Sequence, residues 1–128
     1  MPTRARVLST TTLLIVADLP RSLAFYDKLG FGQPSVHGEP PCFAMLSRDG
    51  FELMLSTGEN QTPRPNGASG VWDMYVRVDD VAREMWALAA AGVAIDKEPT
   101  DTFYQMREIE VVDPDGHRVC FGQDISTA

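Results

Sequence analysis

The sequence predicts an α+β protein of two βαβββ modules that form curved mixed sheets around a cavity, with the helices on the outer face. Three observations predict this fold. A strand, an aspartate and an amphipathic helix follow one another at residues 11–31 and again at 73–93. Each helix is followed by a short extended piece and a hairpin. A stretch rich in Pro, Gly, Asn and Thr separates the two halves.

The chain length sets the domain organisation. At 128 residues the chain fits one domain, and two modules of this size must share a core. We expect a single domain over 1–128, with module one at about 9–56, a linker at about 57–69 and module two at about 70–124.

Both helices have recognisable start signals. Asp18 is placed to cap the first helix, with Pro20 in its first turn, and either Asp79 or Asp80 caps the second, which Gly92 ends. The apolar stripes that should face the sheets are Leu23, Phe25, Tyr26 and Leu29 in the first helix, and Val81, Met85, Leu88 and Ala89 in the second.

Strand alternation assigns the remaining side chains to two faces. Asp49-Gly50 and Asp115-Gly116 supply the tight hairpin turns between the strands. Trp72 and Trp86 fall on the helix side and are predicted to be core, whereas His37 and His117 are predicted to be at the surface. The face away from the helices should carry Thr11, Leu13, Glu52, Met54, Asp73, Tyr75, Arg77, Met106, Glu108, Glu110, Arg118 and Cys120.

Composition restricts the partners and the compartment. The net charge is -7, which disfavours nucleic acid and anionic membranes and favours a cationic ligand, although solubility alone also explains an acidic chain. No apolar run is long enough to span a membrane, and the first residues lack an apolar signal. We therefore expect a cytoplasmic protein in which Cys42 and Cys120 are free thiols.

Three motifs resemble one known family. Residues 16–26, VADLPRSLAFY, followed by Leu29-Gly30-Phe31, are similar to the first strand and helix of the vicinal-oxygen-chelate superfamily, which contains glyoxalases, bleomycin-resistance proteins and dioxygenases. Val76-Arg77-Val78-Asp79-Asp80-Val81 and Asp113-Pro114-Asp115-Gly116-His117 resemble its second-half signatures. The resemblance spans essentially the whole chain, and it implies the fold more strongly than a function.

The resemblance also implies where a metal would be. Enzymes of this superfamily hold a divalent ion through four side chains, and the matching places are Thr11, Glu52, Asp73 and Cys120. Glu52 alone matches the usual ligand type, since a threonine hydroxyl is a poor ligand and a thiolate beside carboxylates mixes soft and hard donors. We therefore expect no metal and no cofactor.

Side chains suited to ligand binding share the predicted cavity face. Aromatic rings at strand edges and in loops, at Phe43, Trp72, Phe103 and Tyr104, suit stacking on a planar ligand. The acidic residues of that face either include an acid–base carboxylate or form ion pairs with Arg77 and Arg118. The predicted ligand-binding residues are Leu13, Glu52, Met54, Asp73, Tyr75, Tyr104, Met106, Glu108 and Cys120.

These observations lead to one hypothesis and two alternatives. The hypothesis is a metal-independent protein that sequesters a small molecule, such as a cationic or planar antibiotic, and the resemblance implies a homodimer. One alternative is an enzyme of the same fold, a lyase, isomerase or dioxygenase, with an atypical metal set or with acid–base chemistry by Glu52 or Glu108. The other is a dimeric interaction module whose cavity is filled by its own side chains.

Overall fold

The structure is a computed structural model that describes residues 3–126. The first half contains β1 (Thr12–Ile15), α1 (Leu19–Lys28), β2 (Gly32–His37), β3 (Phe43–Arg48) and β4 (Phe51–Ser56). The second half contains β5 (Met74–Arg77), α2 (Val81–Ala90), β6 (Lys97–Asp101), β7 (Met106–Val112) and β8 (Arg118–Asp124). A 3-10 turn at Asn66–Ser69 lies between the halves. The predicted α+β fold of two βαβββ modules is confirmed.

Each half forms its own four-stranded mixed sheet. The strand orders are β1-β4-β3-β2 and β5-β8-β7-β6. In both sheets the first strand pairs in parallel with the last, and the other pairs are antiparallel. The first and last strands of a module therefore lie side by side, and the intervening helix crosses one face of the sheet.

The helices begin at the predicted aspartates. The Asp18 carboxylate accepts a hydrogen bond of 3.0 Å from the backbone N–H of Arg21, and Asp80 accepts one of 3.1 Å from Arg83. Asp80, and not Asp79, is thus the second cap. Each helix is ten residues long, and neither is long and apolar enough to cross a membrane.

One apolar cluster joins the helix-bearing faces of both sheets. It contains side chains from α1, α2 and strands of both halves, which explains how two small modules bury enough apolar surface. The buried members are Leu14, Val16, Leu19, Tyr26, Leu29, Phe31, Ala44, Leu46, Leu53, Leu55, Val81, Leu88, Val93, Ile109, Val111, Val119 and Phe121.

Each half makes a polar contact from its hairpin to the helix of the other half. The Arg48 guanidinium, at the end of β3, donates bonds of 2.9 and 2.6 Å to Glu84 on α2. The Tyr26 hydroxyl on α1 donates a bond of 2.8 Å to Asp113 in the β7–β8 turn. Each hairpin turn thus contacts the helix of the other half, and both contacts are largely buried, where an unpaired partner would be costly.

Two predictions of burial were wrong, one because of these inter-half contacts and one because of the helix register. His117 is 3% exposed, since α1 packs over the β7–β8 turn, and its Nδ1 lies 2.7 Å from Asp113 Oδ2. Trp86, predicted to be core, is 78% exposed on α2. His37 is exposed at the end of β2, as predicted.

The buried histidine favours its charged form. Burial opposes the charge on His117, but the hydrogen bond and charge of Asp113, with the charges of Asp73 and Asp115, outweigh it and raise the pKa of His117 above its ordinary 6.5. The same contact holds the pKa of Asp113 below its ordinary value despite burial. The folded protein therefore binds the His117 proton more tightly than the unfolded chain does.

We expect this ion pair to make stability depend on pH. Its contribution is complete below the unfolded pKa of about 6.5 and is lost as the pH rises through the folded-state pKa. The free energy of unfolding, measured by urea denaturation from about pH 6 to pH 9, should fall across that window. His117→Asn should abolish the decrease, and His37→Asn, at the exposed histidine, should retain it. Equal slopes in both variants would contradict this assignment.

Candidate functional site

The face of the second sheet opposite α2, here called the second open face, carries two adjacent rows of functional side chains. In one row Tyr75, Cys120, Glu110 and Lys97 are register partners across β5, β8, β7 and β6. In the next row the partners are Arg77, Gly122, Glu108 and Thr100. Because register partners point to the same face, the sheet brings these side chains together.

Two buried glutamates organise this face. The Glu108 side chain is fully buried, and its Oε2 accepts hydrogen bonds of 2.8 Å from the Tyr75 hydroxyl and 2.7 Å from the Tyr104 hydroxyl. Glu110 is 7% exposed, and its Oε2 accepts a bond of 3.0 Å from Trp72 Nε1. The two carboxylates thus fix the orientation of three aromatic rings.

Two cations balance the carboxylates. The Lys97 ammonium lies 3.6 Å from Glu108 Oε1 and 3.4 Å from Glu110 Oε2. The Arg118 guanidinium lies 3.0 Å from Glu110 Oε1 and also pairs with Asp96. Pairing with Arg118 is one of the two roles that the sequence left open for these acids. Buried carboxylates need such partners to remain charged.

The thiol and the two tyrosine hydroxyls beside these glutamates stay protonated. Burial, followed by the charges of Glu108 and Glu110, raises the pKa of the Cys120 thiol to about 12. Burial and the hydrogen bond to Glu108 raise the pKa of Tyr104 to about 12, and the same causes raise that of Tyr75. At neutral pH Cys120 is therefore a thiol, and both tyrosines are hydrogen-bond donors.

Gly122 makes room for Tyr75. A Cβ atom at Gly122 would overlap the Tyr75 hydroxyl and ring. Glycine inside a strand often marks such a close approach. The absence of a side chain lets Tyr75 lie across β8 and reach Glu108, which is the register partner of Gly122 on β7.

The aromatic rings form one side of a cavity of about 390 Å³. The Trp72 and Tyr75 ring centroids are 4.7 Å apart, with an angle of 56° between the planes. The prediction that Trp72 is core was therefore wrong. Trp72 precedes β5, so strand alternation does not govern its direction. The lining residues are Trp72, Tyr75, Arg77, Tyr104, Met106, Asp124 and Ser126.

The structure divides the predicted ligand-binding residues between two sheets. Tyr75, Tyr104, Met106, Glu108 and Cys120 come together on the second open face. The other sheet carries Leu13, Glu52 and Met54. Asp73 lies just before β5.

The corresponding face of the first sheet, the first open face, is apolar. Leu13 pairs in register with Met54, which pairs with Met45. Ile15 and Phe43 are both register partners of Ser56. Leu13 is 48% exposed, and the other four apolar side chains are partly exposed. An apolar row of this kind on a sheet face is typical of a surface that another element covers.

The four family metal places do not fit a divalent ion. The Asp73 carboxylate accepts backbone hydrogen bonds from Asn66, Gly67 and Arg118 at 2.7, 3.0 and 2.8 Å, so its role is to hold the turn before β5. Glu52 is exposed on the other sheet. Neither position supplies the convergent ligand set that a bound metal needs.

A second possible ligand cluster is already satisfied. Ligand atoms of Glu108, Glu110 and Cys120 lie within 4.8 Å of one another. Lys97 and Arg118 pair with the two carboxylates of this cluster. The two carboxylates are thus engaged by protein groups, namely the aromatic donors and these two cations.

A larger groove of about 820 Å³ runs between β1, β5 and α2, beside the second open face. The Arg48–Glu84 ion pair lies in its wall, and the carboxylates of Asp49 and Asp79 at its margin are exposed. Its charged groups are thus paired or solvated. The converging polar network lies on the second open face, so we place the candidate site there.

The fold of two βαβββ modules and the acidic, aromatic face of the second sheet can be compared with those of known protein families. A sequence model of the Glyoxalase/Bleomycin resistance protein/Dioxygenase superfamily matches residues 8–121. The chain therefore belongs to that superfamily. No curated protein sequence is significantly similar.

Solved structures show the same fold. A bleomycin-binding protein complexed with bleomycin superposes with a TM-score of 0.73 at 21% identity, covering 92% of this chain and 99% of that one. The bleomycin resistance determinant of transposon Tn5 gives 0.73 at 20% identity, with 92% and 98% covered. TnmS3, an antibiotic-binding protein from Streptomyces sp. CB03234, gives 0.74 at 25% identity, with 95% and 99% covered.

Sequence reasoning left Lys97 and Gly122 out of the site. Gly122 carried a usable signal, because a glycine inside a strand indicates a close approach. Lys97 carried none, because its proximity to Glu108 and Glu110 depends on a β6–β7 register that shifts between Lys97 and Thr100.

We expect Gly122→Ala to displace Tyr75. The added methyl group should destabilise the protein by about 1–3 kcal/mol, as overpacking does, measured by urea denaturation. Tyr75→Ala in the same background should restore part of that loss, because it removes the overlapping ring. Gly32→Ala is the matched control, since the nearest atom to its Cβ would be 3.7 Å away. If Gly122→Ala is as stable as the control, Gly122 does not make room for Tyr75.

Proposed function

We propose that this protein binds a small planar or cationic molecule on the second open face and sequesters it without chemistry. The supporting observation is that the three aromatic side chains of the cavity are held by two buried glutamates. Rings fixed in this way lose little conformational freedom on binding, so they favour stacking. The relatives described as binding bleomycin or another antibiotic support the same class of ligand.

The proposed binding is independent of a metal. The Asp73 carboxylate is engaged by backbone amides, and the Cys120 thiol is protonated beside two carboxylates. A buried thiol with a raised pKa also makes a poor nucleophile. These features favour sequestration over covalent chemistry at this face.

We further propose that the protein is a homodimer whose site is closed by a second copy. The cavity lies on an open sheet face, and the first open face offers an apolar surface of Leu13, Met45 and Met54 without a cover among residues 3–126. Methionine adapts to ligands of irregular shape. An apolar wall from the second copy would therefore complete the aromatic and acidic wall.

The proposed biological role is antibiotic resistance by sequestration in the cytoplasm. Both cysteines are free, as predicted, which suits a reducing compartment. The net charge of -7 favours cationic compounds through the long-range field of the protein.

One observation favours a catalytic alternative. Glu108 Oε1 has no hydrogen-bond partner among the described residues and lies 3.6 Å from the Lys97 ammonium, so this oxygen retains the capacity to accept a proton. An enzyme of the superfamily with acid–base chemistry at Glu108 is therefore the second candidate. Turnover of a bound compound, followed by mass spectrometry, would favour it, whereas recovery of the unchanged compound favours sequestration.

Binding can be tested by calorimetry with bleomycin and a panel of planar cationic compounds. We expect at least one compound to bind with a stoichiometry near one per chain in the presence of a chelator. Trp72→Ala should weaken binding by about 1.5 kcal/mol, roughly tenfold in Kd. Trp86→Ala, at the exposed tryptophan of α2, is the control and should leave the affinity unchanged. The proposal fails if no compound binds or if both variants lose affinity equally.

The homodimer can be tested by sedimentation velocity. We expect the protein to sediment as a dimer and Met54→Asp to shift it toward monomer, because a carboxylate in a buried apolar interface is strongly disfavoured. Trp86→Asp should remain dimeric. A monomeric wild-type protein, or a dimeric Met54→Asp variant, would contradict this arrangement of the two open faces.

A further inference from the structure

The three aromatic rings of the cavity share an unusual bonding pattern. Trp72, Tyr75 and Tyr104 each have one polar hydrogen, and each donates it to a buried glutamate. The two tyrosine hydroxyls meet at the same oxygen of Glu108, so their rings extend from one point. The indole N–H is used by Glu110. The aromatic side chains therefore offer a ligand their faces and not their hydrogen-bond donors.

Donating a hydrogen bond to a carboxylate also changes the electron density of the aromatic rings. A phenol or indole that donates a hydrogen bond to an anion gains electron density, which makes its face more negative and more attractive to a cation. Lys97 and Arg118 pair with the carboxylates, and the rings line the cavity. The two buried carboxylates therefore act on a ligand through the rings that they polarise.

From this geometry we infer that the site selects methylated ammonium or other weakly hydrated cations by cation–π contact with Trp72, Tyr75 and Tyr104. The inference rests on the proposed binding function of the second open face and specifies its ligand chemistry. Glu108 and Glu110 act as positioning residues, since they act through the rings.

The same geometry disfavours other classes of ligand. A primary ammonium group needs hydrogen-bond acceptors to replace its water, and the ring faces supply none of comparable strength. An anion would need donors: the three ring donors are used by the glutamates, and the Arg77 guanidinium and the Ser126 hydroxyl, which also line the cavity, are engaged by Asp124. One feature remains for further selectivity: Met106 adds an apolar, polarisable surface to the cavity lining.

The test uses the full chain with Trp86→Phe, which leaves Trp72 as the single tryptophan and as a fluorescence reporter. Three probes are titrated: choline, its neutral isostere 3,3-dimethylbutan-1-ol and the smaller primary amine ethanolamine. We expect choline to bind about tenfold more tightly than either of the others. Equal binding of choline and the neutral isostere would overturn the inference.

A second measurement avoids changing any buried side chain. The Trp86→Phe protein is produced with tryptophan carrying increasing numbers of fluorine atoms, which withdraw electrons from the indole face with little change in shape. Choline affinity should fall stepwise with each fluorine, while affinity for the neutral isostere should change little. A choline affinity that does not depend on fluorination would overturn the inference.

The role of the carboxylates is tested by Glu110→Gln, which retains an acceptor for Trp72 and removes the charge. We expect a loss of choline affinity of several fold with no change for the neutral isostere. A loss that is equal for both probes would indicate a purely structural role and overturn the inference. The proposed binding function is tested separately by the calorimetric panel and its two tryptophan variants, whose outcome does not depend on choline.

Discussion

Glu108 is the constraint on which the candidate site depends, because a charged side chain with no exposure must be surrounded by partners. Tyr75 and Tyr104 supply two donors to one of its oxygens, and Lys97 supplies the nearby positive charge. Each partner has its own structural requirement, such as the missing side chain at Gly122 that admits the Tyr75 ring. The position of the two tyrosine rings thus follows from one buried carboxylate, whose charge also adds to the effect of burial in keeping the Cys120 thiol protonated.

The two halves share one βαβββ topology, but their open sheet faces differ in chemistry. The hairpin turn of each half contacts the helix of the other, through a charged pair at Arg48–Glu84 and through a hydroxyl and a carboxylate at Tyr26–Asp113. The open faces have diverged further, since one is apolar and the other acidic and aromatic. The contact between the modules is therefore built alike in both halves, whereas the first and second open faces differ in chemistry.

Local patterns in the sequence predicted the fold well and the site in part. Two helices, the hairpins and the cap at Asp18 follow from short-range signals, because caps, turns and alternation act within a few residues. The parallel pairing of the first and last strands of each sheet is long-range and has no such local signal. His117 was misplaced because α1, which buries it, is distant in sequence. Trp72 was misplaced because alternation does not extend beyond the strand. Lys97 depends on a shifted register that no local pattern encodes.

The glycine at 122 has a consequence for how this protein could change its ligand over evolution. Gly122 lies beside Glu108 on the neighbouring strand, beneath the Tyr75 ring. A larger side chain at Gly122 should displace this ring, which bonds to Glu108 and packs against Trp72. Tyr104 and Met106, in contrast, border the cavity from a loop and a strand end and are partly exposed. New ligand specificities should therefore arise by substitution at Tyr104 and Met106, while Gly122 is retained. Proteins descended from this chain would then differ in their ligands more readily than in the arrangement of the buried residues beneath the site.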